Sequence, residues 1–259
     1  MQTLWNVRGS ESEPGGSPRK PRGRRLKLLV AGATVIPVAA VAGAWALFFT
    51  PDSPAELRLS TQPSYTASAV PTGLWSVGEG SVAGYRVREK LLRLPASNDA
   101  VGRTTAITGA FRLSGNRDVL RVEKGMRIEA DLTKLESDDD RRDDHMRTMA
   151  IETDLFPTAT FVTTSDVVLP ADLIAGGRAS VTVAGDLTIH GVTRPVAVPV
   201  QAQHGGGRIE VVGSLSFPWA YFDMKQPNLS YVTVEADPTL ELQLFFDHES
   251  TRSVPNQLV

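Results

Sequence analysis

Between Gly73 and His248 the chain alternates apolar and polar residues in short runs, the period of half-buried β-strands. Gly73-Leu-Trp-Ser-Val77 opens the series. Ala83, Tyr85, Val87 and Leu91 then alternate with Gly84, Arg86, Arg88 and Lys90. Ile107, Phe111 and Leu113 repeat the pattern, as do Met126, Ile128, Ala130 and Leu132. Further strands are expected over 161–169, 181–189, 196–203 and 209–217, and the alternation is clearest at Leu240, Leu242, Leu244 and Phe246. About eight strands with short polar connections predict an antiparallel barrel or sandwich, and a closed barrel leaves no exposed sheet edge. A barrel of that size is either filled by side chains or holds one small ligand, and periodicity does not choose between them.

Residues 137–153 break the pattern. Asp138, Asp139 and Asp140 favour a helix start, and Met146, Met149 and Ala150 follow at helical spacing, so a short helix is expected before Phe156-Pro157. Oxygen-rich acidic runs also bind calcium, but this one lacks the glycine and terminal glutamate of an EF-hand loop and carries Arg141 and Arg142 at its centre. A self-paired, solvated segment is the reading preferred, with no metal site.

Composition shifts sharply before Gly73. Residues 1–27 hold seven arginines and lysines against Glu11 and Glu13, with Pro14, Pro18 and Pro21 among glycines and serines, and read as a disordered basic tail. Residues 28–49 contain no charge. As a helix this run is about 33 Å long, enough for a hydrocarbon core of about 30 Å. The basic flank places the N-terminus in the cytoplasm and the remainder outside it, in a single pass. That position assigns the basic cluster to a membrane surface rather than to nucleic acid. A cleaved signal peptide ending at Ala42-Gly43-Ala44 is the rival; the length of the apolar run favours an uncleaved anchor. Residues 50–72, with Pro51, Pro54, Pro63 and Pro71 among Ser, Thr and Ala, read as a spacer holding the domain of residues 73–248 off the membrane, and 249–259 as a C-terminal tail.

Candidate chemistry is sparse. The chain has no cysteine, so thiol catalysis and disulfides are excluded. His145, His190, His204 and His248 are scattered without metal-ligand spacing and are expected at the surface. No Gly-x-Ser-x-Gly elbow occurs, and Gly205-Gly206-Gly207 lacks the Lys-Ser/Thr of a phosphate loop. Glu89 shares the parity of Tyr85 and Val87, so its carboxylate is expected to point inward and to need a partner or a contact with water.

The stretch Gly185-Asp186-Leu187-Thr188-Ile189-His190-Gly191-Val192-Thr193-Arg194-Pro195-Val196 reads as a hairpin about a His-Gly turn. It resembles, nearly verbatim, a hairpin of the YceI-like, lipid- or polyisoprenoid-binding family. Gly73-Leu74-Trp75, Ser81 to Val87, Arg142-Asp143-Asp144-His145-Met146 and Ile151 to Phe161 resemble further blocks of that family, in its order. The resemblance implies an eight-stranded antiparallel lipocalin-like barrel with a short helical insertion, here preceded by one transmembrane helix. It implies an apolar tunnel for a long-chain isoprenoid or similar lipid; with the catalytic motifs missing, the chain is expected to be a binding protein without a cofactor and not an enzyme. The inward-facing residues Tyr85, Val87, Ile107, Phe111, Phe161, Val183, Leu187, Ile189, Phe217, Trp219, Phe222, Leu242 and Leu244 would form its wall. Glu89 and Trp219 stand where the family usually carries His and Arg, which points to an uncharged or weakly polar lipid head. Two alternatives stay open: a small enzyme using Glu89 on a hydrophobic substrate, and a packed barrel acting as an interaction module.

Overall fold

The structure, a computed structural model, describes residues 53–61, 70–91, 97–116, 118–229 and 232–252. The expected basic tail (1–27), membrane span (28–49) and end of the C-terminal tail (253–259) lie outside them. Among the described residues no helix is long and apolar enough to cross a membrane.

Among the described residues fourteen strands form the body: β1 (Gly73–Val77), β2 (Val82–Leu91), β3 (Ser97–Thr104), β4 (Ile107–Gly115), β5 (Leu120–Val122), β6 (Arg127–Asp131), β7 (Thr158–Thr163), β8 (Val167–Val168), β9 (Arg178–Ile189), β10 (Val192–Gly205), β11 (Arg208–Ser216), β12 (Asn228–Leu229), β13 (Val232–Val234) and β14 (Thr239–His248). Pairing runs β1–β14–β11–β10–β9–β7–β6–β4 and returns from β4 to β1, which closes an all-antiparallel barrel of eight strands. At the other end of β14 its partner is β2, which continues the course of β1 after the turn at 78–81 and carries β3 on its far side. Closure satisfies the edge groups that an open sheet would leave unpaired.

The hairpin of β9 and β10 is built as its residues require. Ile189 pairs with Val192, so the loop is the two residues His190 and Gly191, with φ of 54° and 72°. Positive φ at both central positions defines the turn that matches strand twist. Gly185, further down β9, makes room for a ring: a Cβ there would lie 2.4 Å from Cζ of Phe161 on β7.

The helical insertion is present as α1 (Asp140–His145), capped by the Asp139 carboxylate on the Arg141 amide and followed by a wider turn over Met146–Ala150. Its arginines pair at home: Arg141 with Asp139, Arg142 with Asp138 and Arg147 with Asp144 and Asp154.

Part of the stretch read as a spacer is bound to the barrel. Residues 53–61 run as a strap over β3, β2, β14, β11, β10 and β9, which is their spatial order. The Asp99 amide donates to Ser53 Oγ, Arg86 donates to the Pro54 carbonyl at 2.7 Å, and Arg103 to that of Ala55 at 2.6 Å. Gln243 then reaches the Arg58 carbonyl at 3.1 Å. The Ser60 amide and hydroxyl both donate to Glu210 at 2.9 Å, while its carbonyl accepts from Gln203 and Arg178. Glu210, Gln203 and Glu241 project from the outer faces of their strands yet are buried. Pro54 fits this role, because the carbonyls carry much of the bonding and a proline amide has no proton to offer.

Candidate functional site

Inside the barrel the inward-pointing residues leave an apolar cavity of about 170 Å3. Phe111, Phe161, Val183, Leu187, Leu242 and Leu244, predicted from strand parity, all line it. A second chamber of about 90 Å3 is lined by the predicted residues Tyr85, Ile189, Phe217 and Trp219, together with Leu132, Met146, Ile151 and Met224 from the segments that cover this end. The two chambers share Ala83, Ala130, Ala159 and Leu240. Three of these four are alanines, and Ala130 on β6 and Ala159 on β7 are directly paired, so small side chains make up much of the waist where the two chambers adjoin.

Three expected wall residues lie off both linings. Val87 and Ile107 are buried in the packed clusters around the chambers. Phe222 is fully buried and turns its ring edge-on to Phe217 and Tyr221, at centroid distances of 4.9 and 5.1 Å. Inward parity therefore places a side chain in the interior, and its neighbours decide whether it meets open space. The alanines of the waist and Met126 and Ile128 also line the larger chamber; the alanines, being small, carry no mark in the sequence of the space beside them.

Glu89 is not an unpaired interior carboxylate. Its oxygens accept from Arg142 Nε and Nη2 at 3.4 and 3.3 Å, which binds the end of β2 to α1. Arg142 also bonds Ser137 Oγ at 3.1 Å and the Asp138 carboxylate. Burial opposes the arginine's charge, but the bonds to Glu89 and Asp138 outweigh it and raise its pKa. Trp219, in the turn Trp219–Phe222, caps the smaller chamber with its ring while its indole N–H donates to the Glu235 carbonyl at 3.0 Å.

Two histidines expected at the surface are not there. His204 is buried with both ring nitrogens unpartnered, its ring edge-on to Trp75 at 6.2 Å. His190 packs on Phe156 at 4.4 Å and is mostly covered. His190 sits in the hairpin turn and His204 two residues short of the Gly206-Gly207 turn; turn position alone misjudges burial when other segments fold over the strand ends.

The arrangement can accept an elongated apolar molecule. Its walls present methyl, methylene and ring surface, and Arg142, close to Tyr85 of the smaller chamber, is bound to carboxylates.

A closed eight-stranded β-barrel with an apolar interior defines the class. The YceI-like domain model matches residues 79–246, and the chain belongs to that family. It is 30% identical over 133 residues to a UPF0312 protein of Shewanella denitrificans and 30% identical over 122 residues to UPF0312 protein VPA0850 of Vibrio parahaemolyticus. These matches cover 48% and 44% of this chain and 64% and 61% of the relatives, so less than two thirds of either relative is spanned. Among solved structures, a polyisoprenoid binding domain from Saccharophagus degradans aligns with TM-score 0.49 and 17% identity, over 69% of this chain and 99% of that one. BcnA of Burkholderia cenocepacia aligns with TM-score 0.46 and 19% identity, over 63% and 95%.

Proposed function

We propose that this chain is a membrane-anchored, extracytoplasmic binding protein that sequesters or carries a long-chain apolar lipid, isoprenoid or similar, in the barrel. The observation that carries this is the pair of adjoining apolar chambers inside a closed barrel. Each methylene moved from water into such a space gains about 0.8 kcal/mol before the cost of ordering the chain. A chain long enough to pass the waist is held by that sum without a charged anchor. The function is binding rather than chemistry: Glu89, the carboxylate an enzyme would use, is engaged by Arg142 at the end of β2. Membrane attachment rests on the uncharged run 28–49 and its basic flank.

Mass spectrometry of organic extracts from the purified protein tests the binding. Long-chain lipid in the native chain, and none in a variant carrying Leu187→Arg and Leu242→Arg, is expected. A native chain that yields no lipid and takes up no added isoprenoid or fatty amphiphile defeats the reading. Protease added to intact cells tests the topology: the barrel should be removed, and recovery of the full-length chain from cytosol would oppose it.

A further inference from the structure

Among the described residues, the buried side-chain nitrogens and oxygens without a hydrogen-bond partner belong to two residues, Tyr85 and His204. His204 is not on the wall of either chamber. Tyr85 is on the wall of the smaller one, and it also borders a groove of about 390 Å3 that runs beneath α1. The phenol thus stands where the apolar interior meets a polar one. Its position is fixed by the strand beside it: Tyr85 pairs with Gly102, and a Cβ on that glycine would come within 2.4 Å of Cε1 of the ring. A hydroxyl held in place, out of water and without a partner, has lost its hydration and gained nothing in the empty barrel.

We propose that Tyr85 seats the polar end of the bound lipid, and that this end is an uncharged hydroxyl or carbonyl rather than a phosphate or carboxylate. This inference rests on the lipid-binding reading and adds the head group to it. The hydroxyl keeps its proton, since burial raises its pKa, so it has a hydrogen bond to give as well as lone pairs to receive one. Arg142 is the largest single charge acting on it and favours an anion, but three carboxylates oppose that. Glu89, Asp138 and Asp143 lie in its field, and Glu136, Asp140 and Asp144 rim the groove. The two arginines nearby are committed, Arg142 to Glu89 and Asp138, and Arg147 to Asp144 and Asp154. A phosphate would pass a carboxylate rim and meet cations already paired, whereas a neutral oxygen completes the one hydrogen bond that the wall lacks.

The test is native mass spectrometry of the full chain, released from detergent after incubation with an equimolar mixture of four molecules sharing one long tail: an alcohol, a methyl ketone, a phosphate monoester and the bare hydrocarbon. Alcohol and ketone should exceed the phosphate by about tenfold or more, the size of one to two lost or opposed polar interactions. In Tyr85→Phe the occupancy of alcohol and ketone relative to the hydrocarbon should fall roughly three- to tenfold, the worth of one hydrogen bond, while the hydrocarbon itself is retained. The ratio within one sample removes any difference in detergent partitioning between native and variant chains. Tyr85→Phe deletes only an oxygen that has no protein partner, and the head-group ranking of the native chain stands without any variant. Phosphate bound as well as alcohol, or a ratio unchanged by Tyr85→Phe, overturns the inference and leaves lipid binding intact. Uptake of none of the four removes lipid binding and the head-group seat together.

Discussion

Nε2 of His190 stands 2.7 Å from Oε2 of Glu152, and the other ring nitrogen is 3.3 Å from the Phe222 carbonyl. One imidazole therefore joins three separate segments: the hairpin turn, the loop that follows α1, and the Trp219–Phe222 turn. The three non-glycine residues with left-handed φ, among those described, are Glu152, His190 and Asp223, each at 54°. All three belong to this junction, and Arg194 holds the Trp219–Phe222 turn by donating to the Tyr221 carbonyl at 2.9 Å. Strained backbone persists where surrounding contacts over-determine it. Here those contacts hold the cover of the smaller chamber.

Cutting that junction should loosen the cover before it unfolds the barrel. His190→Leu removes both polar contacts and leaves the Glu152 carboxylate without this partner. The expected loss is about 1–3 kcal/mol by urea denaturation. Hydrogen exchange should rise around 151–156 and 219–224 and stay unchanged in β11 and β14. Uniform exchange throughout the barrel would show that His190 supports the whole fold rather than its cover.

A second expectation concerns acid. Burial holds the His204 imidazole below its ordinary pKa, and neither ring nitrogen has a partner to stabilise the charged form. The unfolded chain binds that proton more readily than the folded one. Stability from this residue is therefore complete above about pH 6.5 and declines as pH falls below it. Between pH 7 and 5 the urea midpoint of the native chain should drop, and His204→Phe should flatten that drop by keeping the aromatic contact with Trp75. Parallel slopes for the two chains would refute the assignment.

The barrel was legible in the sequence to the degree that its strands alternate. Leu240 to Phe246 and the Leu187–Val196 hairpin announce themselves because one face is apolar and the other polar. β3 does not: Ser97-Asn-Asp-Ala-Val-Gly-Arg-Thr104 has no such period, and at the position paired with Tyr85 it carries Gly102, which leaves room for the ring and no apolar mark in the sequence. The strap looks like a spacer in the sequence because Pro, Ser and Thr lack an apolar face to pattern. What binds it are outward Glu, Gln and Arg side chains that taken one at a time look like ordinary solvated positions. Large inward residues mark the cavity lining in the sequence and alanines do not, because volume left empty is a relation between strands and not a property of any residue.

The strap supplies a third prediction. Burial opposes the charge of Glu210, but hydrogen bonds from Ser60, Gln243 and Gln203 prevail and hold its carboxyl below the usual range. Its contribution is therefore present above about pH 4.3 and lost as pH falls further. A chain beginning at Val70 should be less stable than one beginning at Asp52 by about 2–4 kcal/mol, the sum of a few net hydrogen bonds and the exposure of Glu210 and Glu241. Glu210→Ala in the longer chain should render residues 53–61 sensitive to protease at neutral pH. Equal urea midpoints for the two lengths would make the strap incidental to folding.

The waist gives the sharpest test of how the interior is used. Ala130 and Ala159 are paired neighbours on β6 and β7 and line both chambers, so a larger side chain at either position should fill the space where the chambers adjoin. Ala159→Leu is the suitable change, because residue 159 is only partly buried and strand β7 keeps its pairing whatever the side chain. Added core volume costs about 1–3 kcal/mol of stability, which a melting curve measures separately from binding. Ligands short enough for the larger chamber should bind as before. Longer ones should lose about 0.8 kcal/mol for every methylene excluded, so that two excluded groups weaken binding by about tenfold. The measurement is affinity against tail length for one head group, in native and variant chains. The native curve should keep rising with length where the variant curve flattens, and the point of divergence marks the number of carbons the larger chamber holds. Curves that fall in parallel at every length would mean that Ala159→Leu disturbs the barrel as a whole and that the chambers do not act as one tunnel.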